Sequence, residues 1–178
     1  MRSKDWSRIL ISAALVAPIP YVAYAEVYLS EQQAAAILFP DLKLEACWMD
    51  LSSTEMKTIA NVSGEKVASP HIRIWWGPDQ QALIIDRVLG KHELITYAVA
   101  INSDHKIQGI EILEYRETYG YQIREPRWRE EFVGKSIADP LKLDHDIPNI
   151  SGATLSSAHI TNGVRRILQT YEVLKSKI

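Results

Sequence analysis

A run of small and hydroxyl-bearing residues before a helix-like segment is the part of this chain best suited to chemistry. The run is Ser151-Gly152-Ala153-Thr154-Leu155-Ser156-Ser157, and Thr154 offers a hydroxyl nucleophile. Free backbone N–H groups and the helix dipole favour a phosphate group at a helix N-terminus. The same residue types also form ordinary turns and N-caps. The spacing therefore leaves two interpretations, a phosphate-bearing threonine and a plain helix start.

The elements that must position this run are a helix after it and a sheet before it. Apolar residues recur at helical spacing from Leu155 to Lys175, with charged residues on the other side, which predicts an amphipathic helix packed on a sheet. From His71 onward the period is two, which predicts strands. Gly109 inside the last strand predicts a bulge or a close backbone approach. The predicted strands cover residues 71–76, 82–88, 94–102 and 107–115.

Two helices are expected ahead of the sheet. The alanine-rich segment Tyr28–Phe39 has Ser30 as a candidate N-cap, and Ser53-Thr54 before Glu55 suggests a second short helix. No Gly/Ser linker divides residues 26–178. We therefore predict an α+β fold: a single domain with a twisted antiparallel sheet and packed helices, including the C-terminal helix after the hydroxyl-rich run.

Residues 1–25 have the pattern of an export signal. Three basic residues precede an apolar run over residues 9–25, which ends in Ala23-Tyr24-Ala25, with small residues at the two positions that a signal peptidase recognises. We expect cleavage before Glu26, which makes residues 26–178 the mature domain. The alternative is a membrane anchor retained through residues 9–25.

Composition and charge argue against several classes of function. Without residues 1–25 the chain loses three of its 20 basic and one of its 22 acidic residues, which leaves a formal net charge of −4 and argues against a nucleic-acid partner. Cys47 is the only cysteine, so the chain has no intrachain disulfide, CxxC pair or CxxCH haem attachment. The five histidines never adopt metal-ligand spacing, and no metal site is expected. A redox role would need a bound cofactor.

The order of several motifs resembles that of the FMN-binding domain family. The motifs are an alanine-rich helix ending in Phe39-Pro40, a β-hairpin, Glu117-Thr118-Tyr119-Gly120, Trp128 and Phe132 followed by Gly134-Lys135, and the hydroxyl-rich run. The resemblance covers residues 26–175. This family includes the flavin subunits of the sodium-pumping quinone reductase and of the Rnf electron-transport complex.

The resemblance implies a covalent flavin. FMN would be attached through its phosphate to the Thr154 hydroxyl by a flavin transferase that consumes FAD. Ser156 and Ser157 would add donors to the phosphate, or else lie exposed to water in the first helical turn. The loop Glu117–Gly120 would lie beside the flavin ring, or else form an ordinary strand-ending turn. The cofactor-binding set implied is Thr154 with Ser151, Gly152, Ala153, Leu155, Ser156 and Ser157 around the phosphate, and Glu117, Thr118 and Gly120 at the ring.

Two positions depart from the family pattern. Tyr119 stands where proline is usual, and Pro148 stands where an acidic residue commonly precedes the run. We expect Asp146 to substitute for that acidic residue when the transferase recognises the chain.

The function that the resemblance implies is electron transfer by an exported protein. The chain would relay electrons between a membrane-bound donor and an extracytoplasmic acceptor, in the periplasm or another extracytoplasmic space. It would act as a redox carrier or as part of a redox complex rather than as a stand-alone enzyme, so no acid/base residues of a metabolic active site are expected. Two other functions stay open: a flavin-free adaptor or sensor domain of the same fold, and a reductase that binds FMN non-covalently.

Overall fold

The computed structural model describes residues 26–117 and 120–178. The expected export signal and the residues Thr118 and Tyr119 lie outside the described residues. The elements follow one another as β1 (Glu26–Val27), α1 (Glu31–Leu38), β2 (Glu45–Asp50), α2 (Ser53–Ser63), β3 (His71–Trp76), β4 (Ala82–Leu89), β5 (Leu94–Ile101), β6 (Ile107–Tyr115), a 3-10 helix (Tyr121–Arg124), α3 (Pro126–Glu130) and α4 (Thr154–Lys175).

One antiparallel sheet of six strands crosses the described part of the chain, in the order β1-β6-β5-β4-β3-β2. The four strands predicted from the two-residue period are confirmed to within one residue at each end. The ladder between β5 and β6 shifts register beside Gly109, which confirms the predicted bulge. Strand β2, at one edge of the sheet, is an element that the sequence pattern did not predict.

The two early helices begin with complete capping boxes, which explains where they start. The Ser30 hydroxyl accepts the N–H of Gln33, and the Gln33 side chain accepts the N–H of Ser30 in return. Ser52 and Glu55 make the same reciprocal pair at the start of α2. The predicted N-cap at Ser30 is confirmed, and the second helix begins at Ser53 as expected.

Apolar side chains cover both faces of the sheet. Helix α4 packs on β4 and β5 and contacts α2, over a core that includes Ile74, Ile84 and Val99. Helix α1 covers the opposite face, where Leu38 packs in a smaller cluster with Ala98. The α+β fold with a packed C-terminal helix is therefore confirmed.

A close approach of α4 to the sheet centres on Gly163. A Cβ atom added there would overlap the Tyr97 hydroxyl and lie 2.9 Å from Val88 Cγ1. Tyr97 is fully buried and its hydroxyl donates to Asp86 at 2.9 Å, while Arg166 pairs with the same carboxylate at 2.5 Å. Burial, reinforced by the charge of Asp86, raises the pKa of Tyr97 well above its ordinary value. This polar network joins α4 to β4 and β5.

Candidate functional site

Thr154 is the first residue of α4, and its side chain is exposed. The turn before it is closed by the Ala153 N–H, which donates to the Ile150 carbonyl at 2.9 Å. Gly152 has a φ of +84°, and a Cβ atom added there would meet nothing within 4 Å. Glycine is therefore favoured at this position by the left-handed backbone conformation, and not by close packing against a neighbouring atom. The turn presents the threonine hydroxyl at the surface, at the start of the helix.

The N-terminus of α4 differs from those of α1 and α2 because no side chain caps it. Ala153 is the N-cap residue, and the first intrahelical bond runs from the Ser157 N–H to the Ala153 carbonyl at 2.9 Å. The N–H groups of Thr154, Leu155 and Ser156 therefore have no acceptor within the helix. The dipole of this 22-residue helix adds to the attraction for an anion. These residues fit a phosphate group borne by the Thr154 hydroxyl.

Ser156 and Ser157 are turned into the protein. Only 4% of Ser156 and none of Ser157 is exposed, so the alternative of water-exposed residues in the first turn is wrong. The Ser157 hydroxyl lies 3.1 Å from the carbonyls of Ala153 and Thr154 and donates within its own turn. The Ser156 side chain hydrogen-bonds the Tyr115 phenol. These hydroxyls hold the helix start in place, and the Ser156 backbone N–H is the group of this pair that stays available to a phosphate.

The structure brings the second motif against the first. Gly120 has a φ of +94°, and a Cβ atom added there would lie 3.2 Å from Ala153 Cβ and 2.6 Å from the Tyr115 hydroxyl. A larger residue would push the loop away from the helix start. Thr118, which is expected at the flavin ring, belongs to the same loop and lies outside the described residues. Gly120 of the loop and the hydroxyl-rich run therefore lie side by side.

The Glu117 carboxylate is engaged by the turn between β4 and β5. It accepts the backbone N–H groups of His92 at 2.6 Å and Glu93 at 3.0 Å. Partial burial raises the pKa of Glu117, but the backbone donors, including that of Lys91, outweigh it and lower the pKa. A Cβ atom added at Gly90 would lie 2.6 Å from this carboxylate, so glycine permits the approach. Glu117 acts as the anchor of the loop, whereas the resemblance implied a contact with the ring.

The same turn is tied to α4. His159 Nδ1 hydrogen-bonds the Leu89 carbonyl, and Leu155 lies one helical turn earlier on the same face. Leu89 and Leu94 face each other at the end of the β4–β5 ladder. The exposed large apolar side chains of this turn and of the first turn of α4 form what we term the apolar rim: Leu89, Leu94 and Leu155.

Two aromatic residues of the family pattern are part of the core. Trp128 and Phe132 are buried and pack edge to face, with ring centroids 5.1 Å apart. The Trp128 indole N–H donates to the Pro148 carbonyl at 2.8 Å. Pro148 thus holds the segment before the hydroxyl-rich run against α3, and neither ring is free to stack on a flavin.

Asp146 is also engaged within the protein. Its carboxylate accepts the N–H groups of Leu141 at 3.1 Å and Lys142 at 2.7 Å and pairs with Lys135 at 3.3 Å. Burial raises the pKa of Asp146, but these donors lower it below the ordinary value. The contacts make Asp146 a loop anchor and give no support to the expected role in transferase recognition.

The described residues contain neither a cluster of potential metal ligands nor a helix that could span a membrane. In residues 26–117 and 120–178, no three His, Cys, Asp or Glu side chains are grouped so that they could hold a metal ion. In the same ranges, no helix is both long and apolar enough to cross a membrane.

We predict that Glu117→Gln lowers the stability of the protein at neutral pH. The free energy of unfolding should fall by about 1–2 kcal/mol, because a charged acceptor of two or more backbone N–H groups is lost. A carboxyl group with a lowered folded-state pKa stabilises the fold above its unfolded pKa, and this contribution is lost as the pH falls through the folded-state value. The difference between the two proteins should therefore shrink below about pH 4 in urea unfolding. Glu93→Gln, in the same turn with an exposed side chain, is the matched control, and an equal loss in both variants would contradict the assignment.

The fold is thus an α+β domain in which an uncapped helix start presents a threonine beside a glycine-containing loop of an antiparallel sheet. Residues 90–169, which contain both motifs, match the model of the FMN-binding domain family.

Two known proteins are similar to the chain. Over 83 residues it is 31% identical to one subunit of the Na+-translocating ferredoxin:NAD+ oxidoreductase complex of Acetobacterium woodii, and the match covers 42% of this chain and 40% of that protein. The match thus spans less than half of the relative's length. The crystal structure of one subunit of the Na+-translocating NADH-quinone reductase of Parabacteroides distasonis aligns with a TM-score of 0.46 and 19% identity, over 82% of this chain and 81% of that one.

The β4–β5 turn and His159 are site elements that the sequence interpretation missed. Both act through contacts with residues distant in the chain. The one local signal was Gly90 at the end of a predicted strand, which marks a turn but does not indicate that Glu117 lies against it.

Proposed function

We propose that this chain is an exported electron-transfer protein that carries FMN through a phosphoester bond to the Thr154 hydroxyl. The observation that carries the proposal is the exposed Thr154 side chain at the uncapped N-terminus of α4, inside a region that matches the model of the FMN-binding domain family. Electron transfer is the function in which such a flavin would need no acid/base residues from the protein.

Attachment would be a phosphoryl transfer from FAD. The Thr154 oxygen bonds to the phosphorus of the FMN half as the pyrophosphate bridge breaks, AMP leaves, and a base of the transferase takes the hydroxyl proton. The chain contributes an accessible oxygen and three backbone N–H groups, those of Thr154, Leu155 and Ser156, which lie where the product phosphate would carry its negative charge. The partner in this step is a flavin transferase.

The surroundings of Thr154 suit exchange of electrons with another protein. Bound FMN supplies reversible one- or two-electron chemistry. Gly120 holds its loop against the helix start, and the apolar rim of Leu89, Leu94 and Leu155 is a surface that a partner protein would cover. We propose a membrane-bound donor and an extracytoplasmic acceptor. The complex named for the similar Acetobacterium woodii protein and the signal-like pattern of residues 1–25 support that assignment.

The test is the intact mass of the full chain exported from a host that also expresses a flavin transferase. We expect a chain without residues 1–25, heavier by FMN less one water, whose flavin stays with the protein after acid precipitation. The same chain from a host without the transferase is the control and should carry no added mass. Flavin released by acid would contradict the covalent link and favour a non-covalent reductase. A chain without flavin in both hosts, with the transferase active on another substrate, would favour the adaptor or sensor function.

A further inference from the structure

Strands β3 and β4 separate at one end, and a cavity of about 290 Å³ opens between them. The two strands pair from Arg73–Ile85 to Trp76–Ala82. The next pair in this register would be Ile72 with Asp86, but Ile72 pairs only with β2 and Asp86 only with β5. Neither strand contains a glycine or a proline, so no chain-breaking residue accounts for the gap. The facing edges therefore present backbone groups without a ladder partner to the cavity.

Two ion pairs hold the walls of the cavity. On the α1 side, Arg73 pairs with Glu31 at 2.9 Å. On the α4 side, Arg166 pairs with Asp86 at 2.5 Å, and both residues line the cavity. The two carboxylates that line the cavity, those of Glu31 and Asp86, are thus each neutralised by an arginine that also lines it.

Arg87 is a third arginine in the lining, and no ion pair among the described residues neutralises its charge. It is exposed, and no carboxylate of the described residues lies within ion-pair distance of it. Glu114 feels its charge only at longer range and is itself held by Arg116 at 2.6 Å. The cavity therefore carries a net positive charge, which favours an anionic ligand.

The remaining walls of the cavity suit a planar aromatic ring. The Arg73 guanidinium lies 5.4 Å from the Trp48 ring and 5.6 Å from the Trp75 ring, in cation–π range of both. Trp48 is 65% exposed and lines the cavity, and Ile72 and Ile167 line its apolar side. A volume near the lower limit of about 300 Å³ for small-molecule sites leaves room for one or two fused rings.

The cavity is separate from the FMN site. Arg166 and Thr170, which line it, follow Thr154 by 12 and 16 residues along α4, a distance of roughly 18–24 Å. We propose that this cavity binds a small planar monoanion of the aromatic carboxylate class. Its carboxylate lies on Arg87 and its ring lies on the wall formed by Trp48 and Arg73.

The test uses 2-naphthoate as the probe and 2-naphthamide as its neutral counterpart, titrated into the full chain. We expect naphthoate to bind at least tenfold more tightly than the amide by calorimetry, and to shift backbone NMR signals of Ile72, Ile84 and Ile167 rather than those of Gly120 and Leu155. Arg87→Gln should weaken naphthoate binding by about tenfold. Arg127→Gln is the matched control, because it removes an equal charge from an exposed residue outside the cavity and should leave binding unchanged.

Three results would overturn the proposal. They are equal affinity for the acid and the amide, an equal effect of the two arginine variants, and signal shifts confined to the start of α4. The last result would mean that the probe occupies the FMN site instead. Arg87 and Arg127 are exposed, so both variants are expected to fold, and circular dichroism spectra that match the parent would establish this.

Discussion

Thr154→Ala should abolish covalent attachment of FMN while leaving the fold intact. The alanine removes the oxygen that would bond to phosphorus, and no other hydroxyl of the helix start can replace it, because those of Ser156 and Ser157 are buried and bonded within the protein. The Thr154 side chain is exposed, so the free energy of unfolding of the flavin-free protein should change by no more than about 0.5 kcal/mol. Intact mass and flavin fluorescence in a denaturing gel measure the attachment.

Ser151→Ala is the matched control for this substitution. Ser151 is the other exposed hydroxyl of the run, three residues before Thr154, and it lies outside the helix. We expect Ser151→Ala to retain the added mass, and Thr154→Ser to retain it at least in part because an oxygen stands at the same helical position. Attachment that survives Thr154→Ala but is lost in Ser151→Ala would show that Ser151 carries the flavin instead.

Gly163→Ala is expected to lower the free energy of unfolding by roughly 2–4 kcal/mol, although alanine is the better helix former by about 1 kcal/mol. The new methyl group would overlap the Tyr97 hydroxyl in a fully packed region. Relief requires Tyr97 to move, and the movement costs its hydrogen bond to Asp86, a charged acceptor. Urea unfolding monitored by circular dichroism measures the change, and Gln169→Ala on the same helix is the control.

A double-mutant cycle with Tyr97→Phe isolates the cause of this loss. Removal of the hydroxyl takes away the nearest atom in conflict with a Cβ at position 163, so Gly163→Ala should cost less in the Tyr97→Phe background than in the parent. We expect a coupling of more than about 0.5 kcal/mol. Additive effects of the two substitutions would show that the alanine acts elsewhere, for example on Val88.

The sheet was largely predictable because its central strands alternate and are rich in β-branched and aromatic residues. Strand β2 was not, since the sequence EACWMD contains no β-branched residue and places Trp48 on the exposed side of an edge strand. The separation of β3 from β4 was likewise beyond reach. The ion pairs that line the cavity there join Arg73 and Arg166 to residues far away in the sequence.

In the candidate site, too, features set by neighbouring residues could be predicted, whereas contacts between distant segments could not. The helix that the pattern predicted from Leu155 onward begins one residue earlier, at Thr154, and follows from local chemistry. The left-handed conformation of Gly152 is also a local feature, but the sequence analysis did not specify it. The burial of Ser157 and the engagement of Glu117 by the β4–β5 turn depend on which segments the fold brings together, and residue types do not encode them. The family resemblance gave the order of the motifs along the chain but could not assign a partner to each side chain.

The short pairing of β1 with β6 has a consequence for how the protein would be oriented. Glu26 lies opposite Tyr115, whose hydroxyl lies close to Gly120, so the N-terminal end of β1 lies on the same side of the domain as the start of α4. In a copy still anchored to a bilayer through residues 9–25, the start of α4 would therefore belong to the end of the domain that is joined to the anchor. A copy cut before Glu26 would tumble freely and meet partners from any direction. The same cut would thus convert a fixed contact at the membrane into a diffusing shuttle.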